Sequence, residues 1–333
     1  MGEPSADRVE GTGPAGHVPV LAERTLQLLS PALEPSSGSS GRPLLVDATI
    51  GRGGHAEQIL RTHPHVQVLG IDRDPSAVEY SRRRLASYGD RVEVVHAVYD
   101  ELDDVVRDHG HPEVSAVLLD LGVSSPQLDE PHRGFAYSYD APLDMRMDTT
   151  RGPTAAEVVN TASVAELTRI LRDYGEERFA RRIAQAIQRE RARRPIESTS
   201  RLATLVQEAI PAPARRTGGN PAKRTFQALR IEVNDEIATL ERALPPAVAW
   251  LGMGGRIVVL SYHSLEDRAV KRVLSTAARD TTPPELPVSL PERQPQLRLL
   301  TRGAEQATAA ECEVNPRAAS VRLRAAERIR PAV

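Results

Sequence analysis

Cysteine is almost missing: Cys312 is the only one in 333 residues. That excludes an internal disulfide framework and a cysteine-built zinc site, and it leaves little redox chemistry. Aromatic residues are also scarce, with three Phe, seven Tyr and one Trp, so each aromatic cluster stands out. Lys223 and Lys271 are the only lysines among 43 basic residues. No apolar run approaches the roughly 18 residues that cross a bilayer. Met1–Gly16 lacks the basic-then-apolar order of a signal peptide. The expectation is a cytoplasmic protein with no membrane partner and a disordered tail over residues 1–16. Net charge is −2, so any nucleic-acid site has to be a local patch.

What is present is ordinary globular material. Apolar residues make up 40% and charged residues 26%, and the length suits one large or two ordinary domains. Runs rich in Val, Leu and Ile predict buried parallel strands at 44–50, 66–72, 92–96 and 114–120. A fifth at 256–261 follows only after a long gap, and 296–301 with 320–325 supply a last antiparallel pair. Helical stretches such as 75–88 alternate with the strands, which predicts a doubly wound α/β sheet. Residues 34–43 (EPSSGSSGRP) read as a flexible loop.

The long gap is helical. Thr154–Glu157 and Ser163–Glu166 match the capping box, and Gly175 suits a C-terminal cap. Helices near 176–194 and 199–210 carry Phe179, Ile183, Ile187 and Leu202, Leu205, Val206 on their apolar faces. The chain divides into a sheet domain, 17–132 with 225–333, and a helical insertion, 133–224.

Two strand tips point to a nucleoside-bearing cofactor. The first strand runs into Asp47-Ala-Thr-Ile-Gly-Arg-Gly53-Gly54-His55, where glycines let backbone approach a ligand. The second ends in Gly70-Ile-Asp72, and a carboxylate there suits a ribose diol. The spacing is not G-x-G-x-x-G, and no Walker lysine motif occurs, which disfavours dinucleotide and ATP sites. Polar groups crowd the tip of the fourth strand, Asp120-Leu-Gly-Val-Ser124-Ser-Pro-Gln127. Tyr99 follows the third strand, either to flank an adenine or as ordinary packing.

These segments, with Arg133–Asp148 (RGFAYSYDAPLDMRMD), Pro221–Asp235 (PAKRTFQALRIEVND) and Leu260–Arg268 (LSYHSLEDR), resemble the RsmH (MraW) family. The resemblance runs from about His17 to Arg328. Its members are S-adenosylmethionine-dependent 16S rRNA (cytosine-N4)-methyltransferases acting on the small ribosomal subunit. It implies a class I (Rossmann-like) methyltransferase sheet with an inserted all-helical domain and S-adenosyl-L-methionine as cofactor. Gly53, Gly54, His55, Asp72, Tyr99, Asp120 and Gln127 then correspond to cofactor-binding positions. Tyr99 stands where the family usually has Phe, and Asn220 where His is expected.

On the substrate side, residues 172–230 hold 14 basic and 6 acidic residues. Arg178, Arg181, Arg182 and Arg189 fall off the apolar face of their helix, and Lys223 and Arg224 open a later one, so all six are RNA-contact candidates. Phe135, Tyr137 and Tyr139 alternate, which places their rings on one side of an extended chain. They form either a stacking platform for a flipped base, with Phe135 as its RNA-contact residue, or a plug seating the insertion. Asp120, Ser124 and His263 are the catalytic candidates. Asp120 and the 121–125 turn offer acceptors for an exocyclic amine. Ser264–Asp267 fits a helix cap, and His55 and His263 are too isolated to predict a metal. Oligomeric state is left open, a homodimer included.

Overall fold

The computed structural model describes residues 19–35, 41–215, 220–283, 285, 290 and 293–331. The tail 1–16 and the middle of the loop 34–43 lie outside them. Five apolar runs form parallel strands: β1 (Leu44–Asp47), β2 (Gln67–Asp72), β3 (Val92–His96), β4 (Val114–Asp120) and β5 (Leu251–Ser261). β6 (Leu297–Leu299) and β7 (Arg322–Arg328) complete a seven-stranded sheet in the order β3-β2-β1-β4-β5-β7-β6. β7 pairs antiparallel with both of its neighbours. The order reverses between β1 and β4, so their carboxyl ends open a crevice at the switch point.

β5 starts earlier than its apolar run. Leu251 pairs with Val114 and Arg256 with Ala116, so Gly252–Gly255 form a bulge that keeps the strand attached. A Cβ on Gly255 would sit 2.8 Å from the Gly252 carbonyl oxygen, so only glycine packs there.

The helices between β4 and β5 bury a core of their own. Leu167, Ile170, Leu171, Ile183, Ile187, Leu202 and Val206 meet there with Phe135 and Met145. Both expected capping boxes form, at Thr154 and Ser163. Gly175 is not a left-handed cap: Tyr174 ends the helix Val164–Asp173, and the positive φ of 47° falls on Glu176. Gly175 is needed for room, since a Cβ would lie 2.7 Å from the carbonyl oxygens of Leu171 and Arg224. The helix Lys223–Asn234 places Phe226, Ala228 and Leu229 in the same second core. The helical unit thus extends past the expected boundary at 224, to the break at Asp235, whose φ is 49°.

Buried polar groups tie the two ends of the helical unit to one another and, through Asp74, to the sheet. Asn234 Nδ2 donates to the Met145 carbonyl, and its Oδ1 accepts from the Met147 N–H, both at 2.8 Å. Arg133, 6% exposed, donates to Asp74 Oδ2 at 2.8 Å and to the carbonyls of Arg146 and Met147. Asp74 caps the helix Pro75–Leu85 and also accepts from Ser76 and Gln127. Burial alone would raise its carboxyl pKa, but donation from Ser76, Gln127 and Arg133 outweighs it and holds the group below the usual range. Removing one partner of such a buried pair strands the other. Arg133→Met should therefore lose about 3–5 kcal/mol in urea unfolding at pH 7. The native pKa lies below the unfolded value, so the pair's stabilisation is present at neutral pH and fades in acid. The gap between variant and wild type should shrink as pH falls below roughly pH 4, through the lowered native pKa; a gap that stays constant throughout that acid range contradicts the assignment.

Candidate active site

The carboxyl ends of β1 to β5 and the second core enclose one cavity of about 470 Å³. Its sheet side is built from strand tips. Gly51, with φ of 52°, turns the chain after β1 and donates its N–H to Asp72 Oδ2 at 2.8 Å. Asp72 Oδ1 accepts the Asp74 N–H at 2.8 Å. The β2-tip carboxylate thus shapes both loops while its remaining lone pairs stay available. Gly54 lets the chain pass under Pro19, where a Cβ would meet the ring at 2.6 Å. Gly53 does not line the cavity: with φ of 72° it shapes the turn and packs on Leu85. Tyr99 lines the cavity and donates to the Glu236 carbonyl at 3.3 Å. Gln127 is buried, its amide linking the Ser124 N–H to Asp74. Ser124 lines the same wall.

Asp120 occupies the centre. Its backbone N–H donates to Thr49 Oγ1 at 2.6 Å, and its Oδ1 accepts the Tyr262 hydroxyl at 2.7 Å. His55 Nε2 stands 3.6 Å from Asp120 Oδ2 and is buried with no hydrogen-bond partner among the described residues. Asp47, 2% exposed, sits behind them. Burial raises its pKa to about 7, opposed by His55 and the Thr49 N–H and aided by Asp120 and Asp72. Burial likewise raises Asp72 to about 6, against the Asp74 and Gly51 N–H donors. The switch point gathers acid.

The far wall belongs to the helical unit and to the turn after β5. Phe135, Tyr137 and Phe226 line the cavity, Tyr137 meeting Phe226 edge-on with centroids 5.5 Å apart. Tyr139 does not join them; it is 52% exposed. The alternation fails because no strand forms there: Gly134, with φ of 73°, turns the chain at the start of the segment. His263, not Ser264, caps the helix Ser264–Ala277, while the Ser264 hydroxyl donates to Glu176. Contrary to its isolation in sequence, His263 stands beside Glu236 and Glu266, with possible ligand atoms within 4.8 Å of one another. That group already holds a cation, since Arg230 grips both Glu236 oxygens at 2.7–2.8 Å.

The basic candidates divide. Arg191 is spent on carbonyls of the helical unit, and Arg194 and Arg201 pair with Glu190. Arg181, Arg182 and Arg189 are exposed and make no ion pair among the described residues. Arg178 is exposed over the Phe179 ring, and Arg224 donates to the Glu176 carbonyl. Lys223 stands at the cavity mouth. Asp47, Tyr262, Arg133 and the Arg230–Glu236 pair are site residues that sequence reasoning left unassigned. Asp47 carried the same signal as Asp72, a carboxylate ending a buried strand.

The raised carboxyls give the protein a pH signature. Their native pKa values exceed the unfolded ones, so their contribution is complete below about pH 4 and is lost as pH rises through 6 to 7. Asp47→Asn should remove part of that decline, gaining on the order of 2–4 kcal/mol over wild type between pH 4 and pH 8. Urea unfolding across that range checks it; parallel curves contradict it.

The chain resembles known proteins over nearly its whole length. A family model described as the MraW methylase family matches residues 14–329. A protein named ribosomal RNA small subunit methyltransferase H from Thermobifida fusca (strain YX) is 60% identical over 326 residues, 98% of this chain and 97% of its own. One of the same name from Salinispora tropica is 63% identical over 315 residues, covering 95% of this chain and 85% of its own. Among solved structures, an rRNA methylase from Streptococcus thermophilus aligns over 95% of this chain and all of that one, at 12% identity and a TM-score of 0.41. The sheet is a Rossmann-like, doubly wound α/β sheet in the order β3-β2-β1-β4-β5-β7-β6. With the family model spanning nearly its whole length, the chain belongs to the MraW methylase family.

Proposed function

We propose that this protein transfers a methyl group from S-adenosylmethionine to N4 of a cytidine in 16S rRNA of the small ribosomal subunit, in the cytoplasm. The observation that carries the reading is one cavity joining two kinds of wall. Strand tips with a glycine turn and the Asp72 carboxylate face an aromatic wall of Phe135, Tyr137 and Phe226. The first wall fits a nucleoside cofactor and the second fits a flipped base. The names of the relatives at about 60% identity support the small-subunit substrate.

S-adenosylmethionine supplies an electrophilic methyl group on a cationic sulfur. The residues of this chain do the rest. Asp72 would accept from the ribose hydroxyls, the backbone at Gly51 and Gly54 would allow close approach, and Tyr99 would flank the adenine. Cytosine N4 is a weak nucleophile because its lone pair is delocalised into the ring. Asp120, with the backbone of the 121–125 turn, accepts the amine hydrogens and favours a pyramidal nitrogen, and orientation supplies much of the rate. Methylation at C5 would need a thiolate added at C6. Cys312 is half-buried on the helix Ala309–Val314 and does not line the cavity.

The helical unit from residue 133 onward holds the RNA, with Arg178, Arg181, Arg182, Arg189, Lys223 and Arg224 on phosphates. Reaction with small ribosomal subunits followed by mass spectrometry of the nucleosides should give N4-methylcytidine, with Cys312→Ser retaining nearly full activity. Finding 5-methylcytidine, or a folded but inactive Cys312→Ser protein, overturns the base assignment. Changing Arg181, Arg182 and Arg189 together to Glu should weaken RNA binding and flatten its salt dependence, each lost phosphate contact lowering the log–log slope by about 0.7–0.9. Cofactor affinity should not move. An unchanged salt slope removes the patch from the RNA path.

A further inference from the structure

β5 brings a second group to the point where β4 ends. Asp120 pairs with Leu260, so Tyr262, two residues further and just past the end of β5, lies over the turn that follows Asp120. Its ring packs on Gly122, whose φ is 93° and where a Cβ would stand 3.3 Å from Tyr262 Cδ2. Its hydroxyl donates to Asp120 Oδ1 at 2.7 Å. The backbone under the ring is pinned as well: the N–H groups of Tyr262 and His263 both donate to Glu266 Oε2, at 2.7 and 3.2 Å. Glu266 itself is 2% exposed.

We infer that Tyr262 is the positioning residue for the methyl acceptor: its phenol occupies one oxygen of Asp120 and leaves Oδ2 as the oxygen that receives the amine proton. The inference rests on the reading of Asp120 as the acceptor for the substrate amine. As the nitrogen–carbon bond forms and the sulfur–carbon bond breaks, the N–H electron pair stays on nitrogen and the proton passes to Oδ2. Oδ2 is the oxygen that faces His55 Nε2, 3.6 Å away. The groups around Tyr262 are Asp120 from β4, Glu266 from the helix after β5, and Glu311 from the helix Ala309–Val314. Asp47 and His55 lie behind Asp120. Burial, then the Asp120 carboxylate, holds the phenol well above its ordinary pKa, so it remains a donor at any working pH.

Tyr262→Phe keeps the ring on Gly122 and removes only the donor. With the full chain and small ribosomal subunits, kcat should fall about tenfold, the scale of one hydrogen bond to a charged group. KM for subunits and the Kd of S-adenosylhomocysteine should stay within about twofold, as expected when only an interaction of the chemical step is lost. The acidic limb of the pH–rate profile should move to higher pH, which a merely structural role would not cause. Unchanged kcat and limb overturn the inference, as does a loss confined to cofactor affinity. If Tyr262→Phe fails to fold, 3-fluorotyrosine at 262 keeps shape and hydroxyl but strengthens the donor. The limb should then move to lower pH, and a stationary limb overturns the inference. A product other than N4-methylcytidine, found with the same Tyr262→Phe loss, sinks the base assignment and leaves the Tyr262–Asp120 pairing supported.

Discussion

Four carboxylates share the switch point in the parallel part of one sheet, and what surrounds them follows from keeping them there. Asp47, Asp72 and Asp120 end β1, β2 and β4, and Asp74 lies two residues beyond β2. Burial raises the carboxyl pKa of Asp47 and Asp72, and the neighbouring carboxylates add to it. Each carboxylate is answered differently. Asp74 has Arg133 and Gln127, Asp72 has two backbone N–H groups, Asp120 has Tyr262, and Asp47 has the Thr49 N–H with His55 nearby. The negative excess that remains suits a ligand carrying positive charge, as the sulfonium and ammonium of S-adenosylmethionine do.

The same acids tie the two units together. Arg133 enters the helical unit already bonded to Asp74, two residues from Asp72, and Asn234 closes the return. The aromatic wall and the strand tips therefore share one rigid frame. The helical unit and the strand-tip edge meet through the buried Arg133–Asp74 ion pair, which has little tolerance for slack. Beyond the frame, exposed arginines on the helix Ala180–Arg191 lie where they meet solvent rather than protein carboxylates.

The sheet was legible because buried parallel strands are continuous apolar runs, and β2, β3 and β4 end within a residue of where those runs end. Thr154 and Ser163 were legible because a capping box is a local pattern. What failed was local in sequence but decided elsewhere. Gly175 looked like a cap, yet the approach of Arg224, far along the chain, dictates glycine there. Ser264 matched a cap pattern that His263 fills, because Glu266 reaches back to the N–H groups of Tyr262 and His263. Tyr139 fell away because the alternation of Phe135, Tyr137 and Tyr139 has meaning only in an extended chain. Asp72, Asp120 and Gln127 were readable as strand-tip groups. Tyr262 on Asp120 and Arg133 on Asp74 were not, because each contact joins residues separated by a long stretch of chain.

If the crowded acids are the design principle, cofactor binding must move protons. At pH 6 Asp72, with a pKa near 6, is about half protonated, and a cationic ligand whose ribose donates to it favours the charged form. Titration calorimetry of S-adenosylmethionine binding at pH 6, in buffers of different ionisation enthalpy, reads the protons directly. The account predicts net release on the order of half a proton, much reduced in Asp72→Asn. Binding without proton release, or release that Asp72→Asn leaves unchanged, would contradict it.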